Sequence, residues 1–164
     1  MGYGGHRMTH VQGRARARTT LDYWPVVINV IENDFDLADM EGVLAANEVA
    51  LRRGLPFVTI RDCRGLQQQA NALQRKRLAQ WQDDNWDLIK ERCLGVASVM
   101  PSPVVRGVMR AIFWMSAPPT REEVVDTVEE AVATVLGWTS EARIELPAAV
   151  SAERLVADLL ANKL

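Results

Sequence analysis

The side chains that most often carry catalysis are scarce in this chain. Its two histidines, His6 and His10, both fall in a Gly-rich start, so the segment expected to fold lacks the commonest general base and metal ligand. The sequence also contains neither a glycine-rich phosphate loop nor a serine nucleophile elbow. We therefore expect no catalytic residues, no metal site and no cofactor.

Two cysteines are the remaining candidates for nucleophilic chemistry. Cys63 follows a predicted strand, where Arg61 and Arg64 could stabilise its thiolate. With no histidine to activate it, packing is the favoured interpretation, as it is for Cys93, and an enzyme that uses Cys63 or an aspartate pair stays an alternative. Two cysteines can form neither a disulfide framework nor a zinc site, which is typical of a cytoplasmic protein.

Carboxylates gather in two short segments. The first comprises Asp83, Asp84 and Asp87, and the second lies within residues 122–130. Paired carboxylates can bind a metal, but basic residues surround the first group in sequence. Part of the second group falls in the first turn of a predicted helix, where negative charge is favourable. We interpret the first group as a solvated helix face and the second as an electrostatic contribution to the start of that helix.

The most informative segment is an apolar helix predicted over residues 103–116. Apolar side chains nearly surround this helix except at Arg106 and Arg110, which are four positions apart and share a face. One side must pack on a sheet, so the remaining apolar surface needs a second contact. Either other helices of the chain cover it, or it binds a separate molecule.

Two functional hypotheses rest on this helix. The first is a protein-interaction or regulatory module that binds a protein partner or a second copy of the chain. Its expected contact residues are Arg106, Arg110, Phe113 and Trp114. The alternative is a small hydrophobic-ligand or lipid-binding protein. Its expected pocket residues are Met109, Phe113 and Met115.

Hydrophobic spacing predicts the elements that position this helix. We expect strands over residues 14–20, 25–31, 57–61, 94–100 and 122–126. We expect helices from the Asp36 N-cap to Leu51, over about 66–92, over 103–116, and from Thr127 to about Leu136, where Gly137 ends the last one. A linker with a short strand at 143–146 then leads to an amphipathic helix that Ser151 caps.

This order predicts the fold class and the domain organisation. We expect a single α/β domain whose mostly parallel sheet of four to five strands carries an antiparallel edge hairpin. Four helices flank the sheet, and a C-terminal helix packs either on its own chain or on a neighbour. The domain spans residues 14–138, between a leader over 1–13 and a linker with the final helix over 139–164.

Composition narrows the class of partner. The 164 residues are 48% hydrophobic and 24% charged, as in globular proteins, and no apolar run is long enough for a transmembrane segment. With 19 basic and 21 acidic residues, the net charge of −2 does not favour nucleic acid. Residues 104–121 nevertheless carry only basic charges and 122–130 only acidic ones, which suits a protein partner or a second copy.

Several segments together resemble the bacterial STAS/SEC14-like domain family, also described as anti-sigma-factor-antagonist-like. The resemblance covers about residues 14–138. It is carried by WPVVINVI, by PFVTIRDCR, by the segment that ends in SPVVRGVMRAIFWMSAPP, and by EEVVDTVEEAVATV. The matching residues are Ser102, Pro103, Arg106, Gly107, Trp114, Pro118, Pro119, Thr127, Glu129, Glu130 and Ala131.

The resemblance implies a small α/β domain without enzyme activity that acts as a protein switch or binds a lipid-like ligand. The chain departs from the phosphorylated members in one turn, where residues 62–66 contain neither serine nor threonine. We therefore expect no phosphorylation switch there. The extra helical region of SEC14-type lipid carriers is also missing from the pattern, so we expect no large lipid cavity.

Overall fold

Five strands form one sheet in the computed structural model of this protein, which describes residues 15–115 and 117–164, with the backbone alone at Trp114. The strands are β1 (Ala17–Tyr23), β2 (Val26–Glu32), β3 (Phe57–Gly65), β4 (Cys93–Val99) and β5 (Arg121–Val125). They lie side by side in chain order, with β1 antiparallel to β2 and the other pairs parallel. The predicted α/β fold class is confirmed.

Six helices connect and cover these strands within the described residues. They are α1 (Leu37–Arg52), α2 (Ala72–Asp84), α3 (Trp86–Arg92), α4 (Pro103–Met115), α5 (Val128–Glu141) and α6 (Ala152–Leu160). The predicted start of α1 is confirmed, because the backbone N–H of Asp39 donates to the Asp36 carboxylate at 2.8 Å. Gly54 follows α1 with a φ of 71°, a backbone conformation that favours glycine.

The prediction of one long helix over residues 66–92 is wrong. Residues 66–71 are not helical, and the rest forms two helices that meet at Asn85. Both the backbone N–H and the side-chain amide of Asn85 donate to the carbonyl of Trp81, at 3.1 Å and 2.9 Å, where α2 ends. Helix-favouring composition alone does not reveal this break.

Two predictions about the segment after β5 are also wrong. Helix α5 continues past Gly137 to Glu141, because Trp138 packs over Gly95 of β4 and Thr139 is also buried. Their burial outweighs the cost of about 1 kcal/mol for a glycine inside a helix. The expected strand at residues 143–146 does not form, since Arg143 has a φ of 56° and turns the chain after α5.

Helices α5 and α6 cover one face of the sheet. Strand side chains on this face, including Ile28 and Ile60, pack against α5 and against Leu155 and Leu159 of α6, which are 0% and 1% exposed. The carbonyl of Leu159 also accepts from Arg64 Nη2 at 2.9 Å. The C-terminal helix therefore docks on its own chain, which answers the question that the sequence left open.

The opposite face carries two separate apolar clusters. Beneath α1 and α3, one cluster is built around Val27, Leu51 and Phe57. Beneath α4, the other is built around Cys63, Met100 and Val124, with Met109 and Phe113 packed against it. Strand side chains alternate between the two faces of a sheet. The strand side chains that point to this face between the two clusters therefore separate one cluster from the other.

Candidate functional site

The two arginines of α4 are bonded within the chain. Arg106 Nη1 donates to the carbonyls of Met100 at 2.8 Å and Pro101 at 2.7 Å, and to Asp126 Oδ1 at 2.8 Å. Arg110 Nη2 donates to the carbonyl of Val124 at 2.9 Å. The structure thus brings both predicted contact residues together, but on the side of α4 that faces β5 and the start of α5.

The inward side of α4 is apolar. Met109 and Phe113 are half-buried and pack against the cluster of Cys63, Met100 and Val124. Met115, the third predicted pocket residue, is 75% exposed and lies outside that cluster. The side chain of Trp114 lies outside the described residues.

The exposed side of α4 is also apolar. We call it the outward face, and it comprises Val104, Val105, Val108, Ile112 and Met115. These side chains are between 39% and 75% exposed. Because Arg106 and Arg110 are the only charged residues of α4 and both bond towards β5, the outward face carries no charge.

The other helices of the chain lie elsewhere. Helix α6 packs on α5 on the opposite face of the sheet, and α2 packs on α1 and α3. Within the described residues, the other helices of the chain therefore do not cover the remaining apolar surface of α4. Within the described residues, the outward face stays exposed to solvent.

A shallow groove of about 580 Å³ lies between α4 and α5. Four of its charged lining groups, Arg106, Arg110, Asp126 and Glu130, bond to one another or to the backbone. Arg106 bonds to Asp126, and Glu130 accepts from the backbone N–H of Asp126 at 2.9 Å. These bonds connect α4 to the segment at the start of α5.

A row of polar side chains crosses the sheet between the two apolar clusters. Thr19, Asn29, Arg61 and Ser98 are direct register partners on β1, β2, β3 and β4, and we call them the polar row. On the β1 side, Asn29 Oδ1 accepts from Thr19 Oγ1 at 2.6 Å and from Asn47 Nδ2 at 3.0 Å. The polar side chains on this side of the row are therefore hydrogen-bonded to groups of the same chain.

The β4 side of the polar row is less well satisfied. Arg61 Nη1 donates to Ser98 Oγ at 3.2 Å and lies 3.6 Å from Glu122 Oε2, on the neighbouring β5. The Glu122 side chain is only 6% exposed, and its Oε2 atom has no hydrogen-bond partner among the described residues. Burial raises the pKa of Glu122, and the positive charge of Arg61 opposes that shift only in part.

Both cysteine thiols are buried and protonated at neutral pH. Cys63 lies inside β3 rather than after a strand, and burial raises the pKa of Cys63 and of Cys93 to about 11. Arg61 acts in the opposite direction on Cys63 but does not outweigh the loss of solvation. The stabilisation of a Cys63 thiolate by Arg61 is therefore smaller than the effect of burial.

Searches for related proteins return nothing that matches this chain. Comparison with known proteins finds no matching family model, no matching curated protein and no matching solved structure. The STAS/SEC14-like resemblance therefore stays a prediction. Among the described residues, none of the helices is both long and apolar enough to cross a membrane, and no three His, Cys, Asp or Glu residues are grouped as a metal site requires.

Proposed function

We propose that this protein is a non-catalytic interaction module whose outward face on α4 binds the same face of a second copy. The observation that carries the proposal is the outward face itself, with five apolar side chains exposed on one helix. Contiguous apolar surface of this kind marks interaction sites on soluble proteins. The predicted role as a protein switch agrees with this proposal.

The lack of charge on the outward face is compatible with a second copy and disfavours strongly charged partners. A symmetric dimer brings identical patches together, so an uncharged patch meets its partner without repulsion. A strongly charged protein would be recognised by complementary charge on the binding surface, and an anionic membrane by exposed lysines or arginines. Both arginines of α4 instead bond to Val124 and Asp126, away from the outward face.

The size of the outward face predicts a reversible contact. A helix of 13 residues is about 20 Å long, so one side of it covers much less than the roughly 800 Å² that each partner buries in a standard interface. Dimerisation through α4 alone is therefore weak and depends on concentration. Such a contact suits a regulatory module.

The absence of catalysis is part of the proposal and has its own support. The chain's two histidines lie at positions 6 and 10. Burial keeps the thiols of Cys63 and Cys93 protonated near neutral pH, so neither is an activated nucleophile. Free, buried thiols also support a reducing, cytoplasmic location.

The alternative of a hydrophobic ligand beneath α4 stays a prediction with less support. Met109 and Phe113 already fill the space against Cys63, Met100 and Val124. A ligand there needs α4 to move away from the sheet. Native mass spectrometry of the purified protein tests this alternative, because a bound lipid or fatty acid adds a defined mass.

Sedimentation velocity over a range of protein concentrations tests the dimer. We expect the wild-type protein to shift from monomer to dimer as the concentration rises, and Val108→Asp to remain monomeric. The matched control is Val49→Asp, which changes another exposed valine on α1 (52% against 44% exposed) and should dimerise as the wild type does. A wild-type monomer at every concentration, or dimerisation that survives Val108→Asp, contradicts the proposal.

A further inference from the structure

Strand β5 forms one edge of the sheet, and its free side lies in the groove between α4 and α5. Among the described residues, the order of strands ends at β5, and the end of β5 lines the groove. The carbonyl of Val125 accepts from the backbone N–H of Met100, beyond β4, at 2.9 Å. Because successive residues of a strand direct their backbone N–H and C=O groups to opposite sides, those of Glu122 and Val124 point outward from the edge.

The second half of this edge is closed by side chains of the two neighbouring helices. Arg110 Nη2 of α4 donates to the outward carbonyl of Val124 at 2.9 Å. Just after the strand, the backbone N–H of Asp126 donates to Glu130 Oε2 of α5 at 2.9 Å. Val124 as a whole residue is only 2% exposed. Another strand can therefore pair with Val124 only if Arg110 leaves it.

The first half of the edge is open. Glu122 is only partly buried as a residue, although its side chain is 6% exposed, so its exposed surface is mainly backbone. An unpaired strand edge of this kind is a template for pairing with another chain. We propose that Arg110 is the capping residue of the β5 edge and keeps this edge closed to β5 of a second copy. The inference does not rest on the α4 dimer, because the groove and the outward face lie on different sides of α4.

The backbone pattern defines how a second β5 would pair if the cap were lost. In the antiparallel register that uses both outward residues, Glu122 of each copy bonds to Val124 of the other. Glu123 then lies directly opposite its counterpart, in a pair without mutual hydrogen bonds whose Cα atoms are about 4.5 Å apart. Like charges directly opposite each other are unfavourable, so the exposed Glu123 adds to the effect of Arg110.

Disulfide cross-linking at position 123 tests the cap. Glu123→Cys is introduced together with Val108→Asp, which disrupts the outward face, so that covalent dimers report on β5 alone. A Cα separation of about 4.5 Å is within the range that a disulfide spans. We expect slow cross-linking while Arg110 is present. Adding Arg110→Ala should speed it by more than about tenfold, because a hydrogen bond from a charged donor no longer competes with the second strand.

Arg121→Ala is the matched control in the same background. It removes the same charge from the region of β5 but breaks only an exposed ion pair with Glu141, so cross-linking should stay slow. Cys63 and Cys93 are buried and should not form the cross-link.

Two results would overturn the proposal. They are equal cross-linking rates with and without Arg110, and an equal increase in Arg121→Ala. Urea unfolding shows whether Arg110→Ala is folded during oxidation. If it is not, Arg110→Met keeps the aliphatic stem and removes the donors, and an unchanged rate in that variant overturns the cap equally. The α4 dimer is measured by sedimentation of the wild type, so failure of one proposal does not decide the other.

Discussion

Arg106 and Asp126 lie 2.8 Å apart, nitrogen to oxygen, and join the first turns of α4 to the segment that leads into α5. The same Arg106 nitrogen also bonds to the carbonyls of Met100 and Pro101. These bonds direct the positively charged Arg106 side chain of α4 towards its own chain. The consequence is an outward face that is both apolar and uncharged.

Loss of this anchor should weaken the fold more than loss of a surface ion pair. We expect Arg106→Met to lower the free energy of unfolding by about 1–2 kcal/mol, because two carbonyls and a half-exposed carboxylate lose a charged donor. Arg52→Met, which removes an exposed pair with Glu48, should change it by less than about 0.5 kcal/mol. Urea unfolding measures both, and equal losses would show that the Arg106 contacts do not hold α4.

The docking of α6 can be tested at two adjacent leucines. Leu159 is 1% exposed and Leu160 is 52% exposed. We expect Leu159→Ala to lower the free energy of unfolding by about 2–5 kcal/mol through the cavity that it leaves. Leu160→Ala should change it by less than about 0.5 kcal/mol. Similar small effects in both variants would mean that α6 does not dock on its own chain.

Position 95 requires a glycine because the Trp138 ring lies close to its backbone. A Cβ atom on Gly95 would lie only 2.6 Å from Cε3 of the Trp138 ring. Gly95→Ala should therefore lower the free energy of unfolding by about 1–3 kcal/mol. Gly137→Ala, where a Cβ meets open space, should raise it by up to about 1 kcal/mol. Thermal unfolding measures the stability of both variants. If Gly95→Ala is as stable as the wild type, the Trp138 ring does not lie against Gly95.

The buried thiols predict a pH dependence with a defined sign. Burial raises the pKa of Cys63 and Cys93 from 9.0 to about 11. The folded chain therefore holds these protons more tightly than the unfolded chain, so their contribution to stability is complete below pH 9 and falls as the pH rises towards 11. At pH 8, iodoacetamide should label both cysteines slowly in the native protein and quickly in urea, as mass spectrometry can measure. Fast labelling of native Cys63 would show that its thiol is accessible and would contradict the proposed absence of catalysis.

The elements that the sequence predicts correctly are those that local signals mark. The Asp36 cap, the β-branched run of β2 and the proline at the start of α4 each act over a few residues, and the elements that they predict are present. The break at Asn85 carries no glycine or proline to mark it in the sequence, and the continuation of α5 through Gly137 depends on the contacts of Trp138 with Gly95 of β4. A single sequence does not show those contacts.

The candidate sites also combine features that local sequence predicts with features that depend on distant residues. The excess of apolar residues in α4 is visible in the sequence, but the direction of Arg106 depends on Asp126, 20 positions away. The polar row depends on strand register. Asn29, Arg61 and Ser98 are more than 30 residues apart in sequence and become neighbours only when β2, β3 and β4 pair. No local pattern marks Arg61 and Glu122 as neighbours.

Disulfide cross-linking across the outward face tests whether α4 binds a second copy. Since Cys63 and Cys93 are buried, single cysteines introduced at Val104, Val108, Ile112 or Met115 can be oxidised selectively in the native protein. We predict that at least one of them forms a covalent dimer much faster than Val49→Cys, the exposed control on α1. If none of the four variants cross-links faster than Val49→Cys, α4 does not bind a second copy, and the account of this protein's function is contradicted.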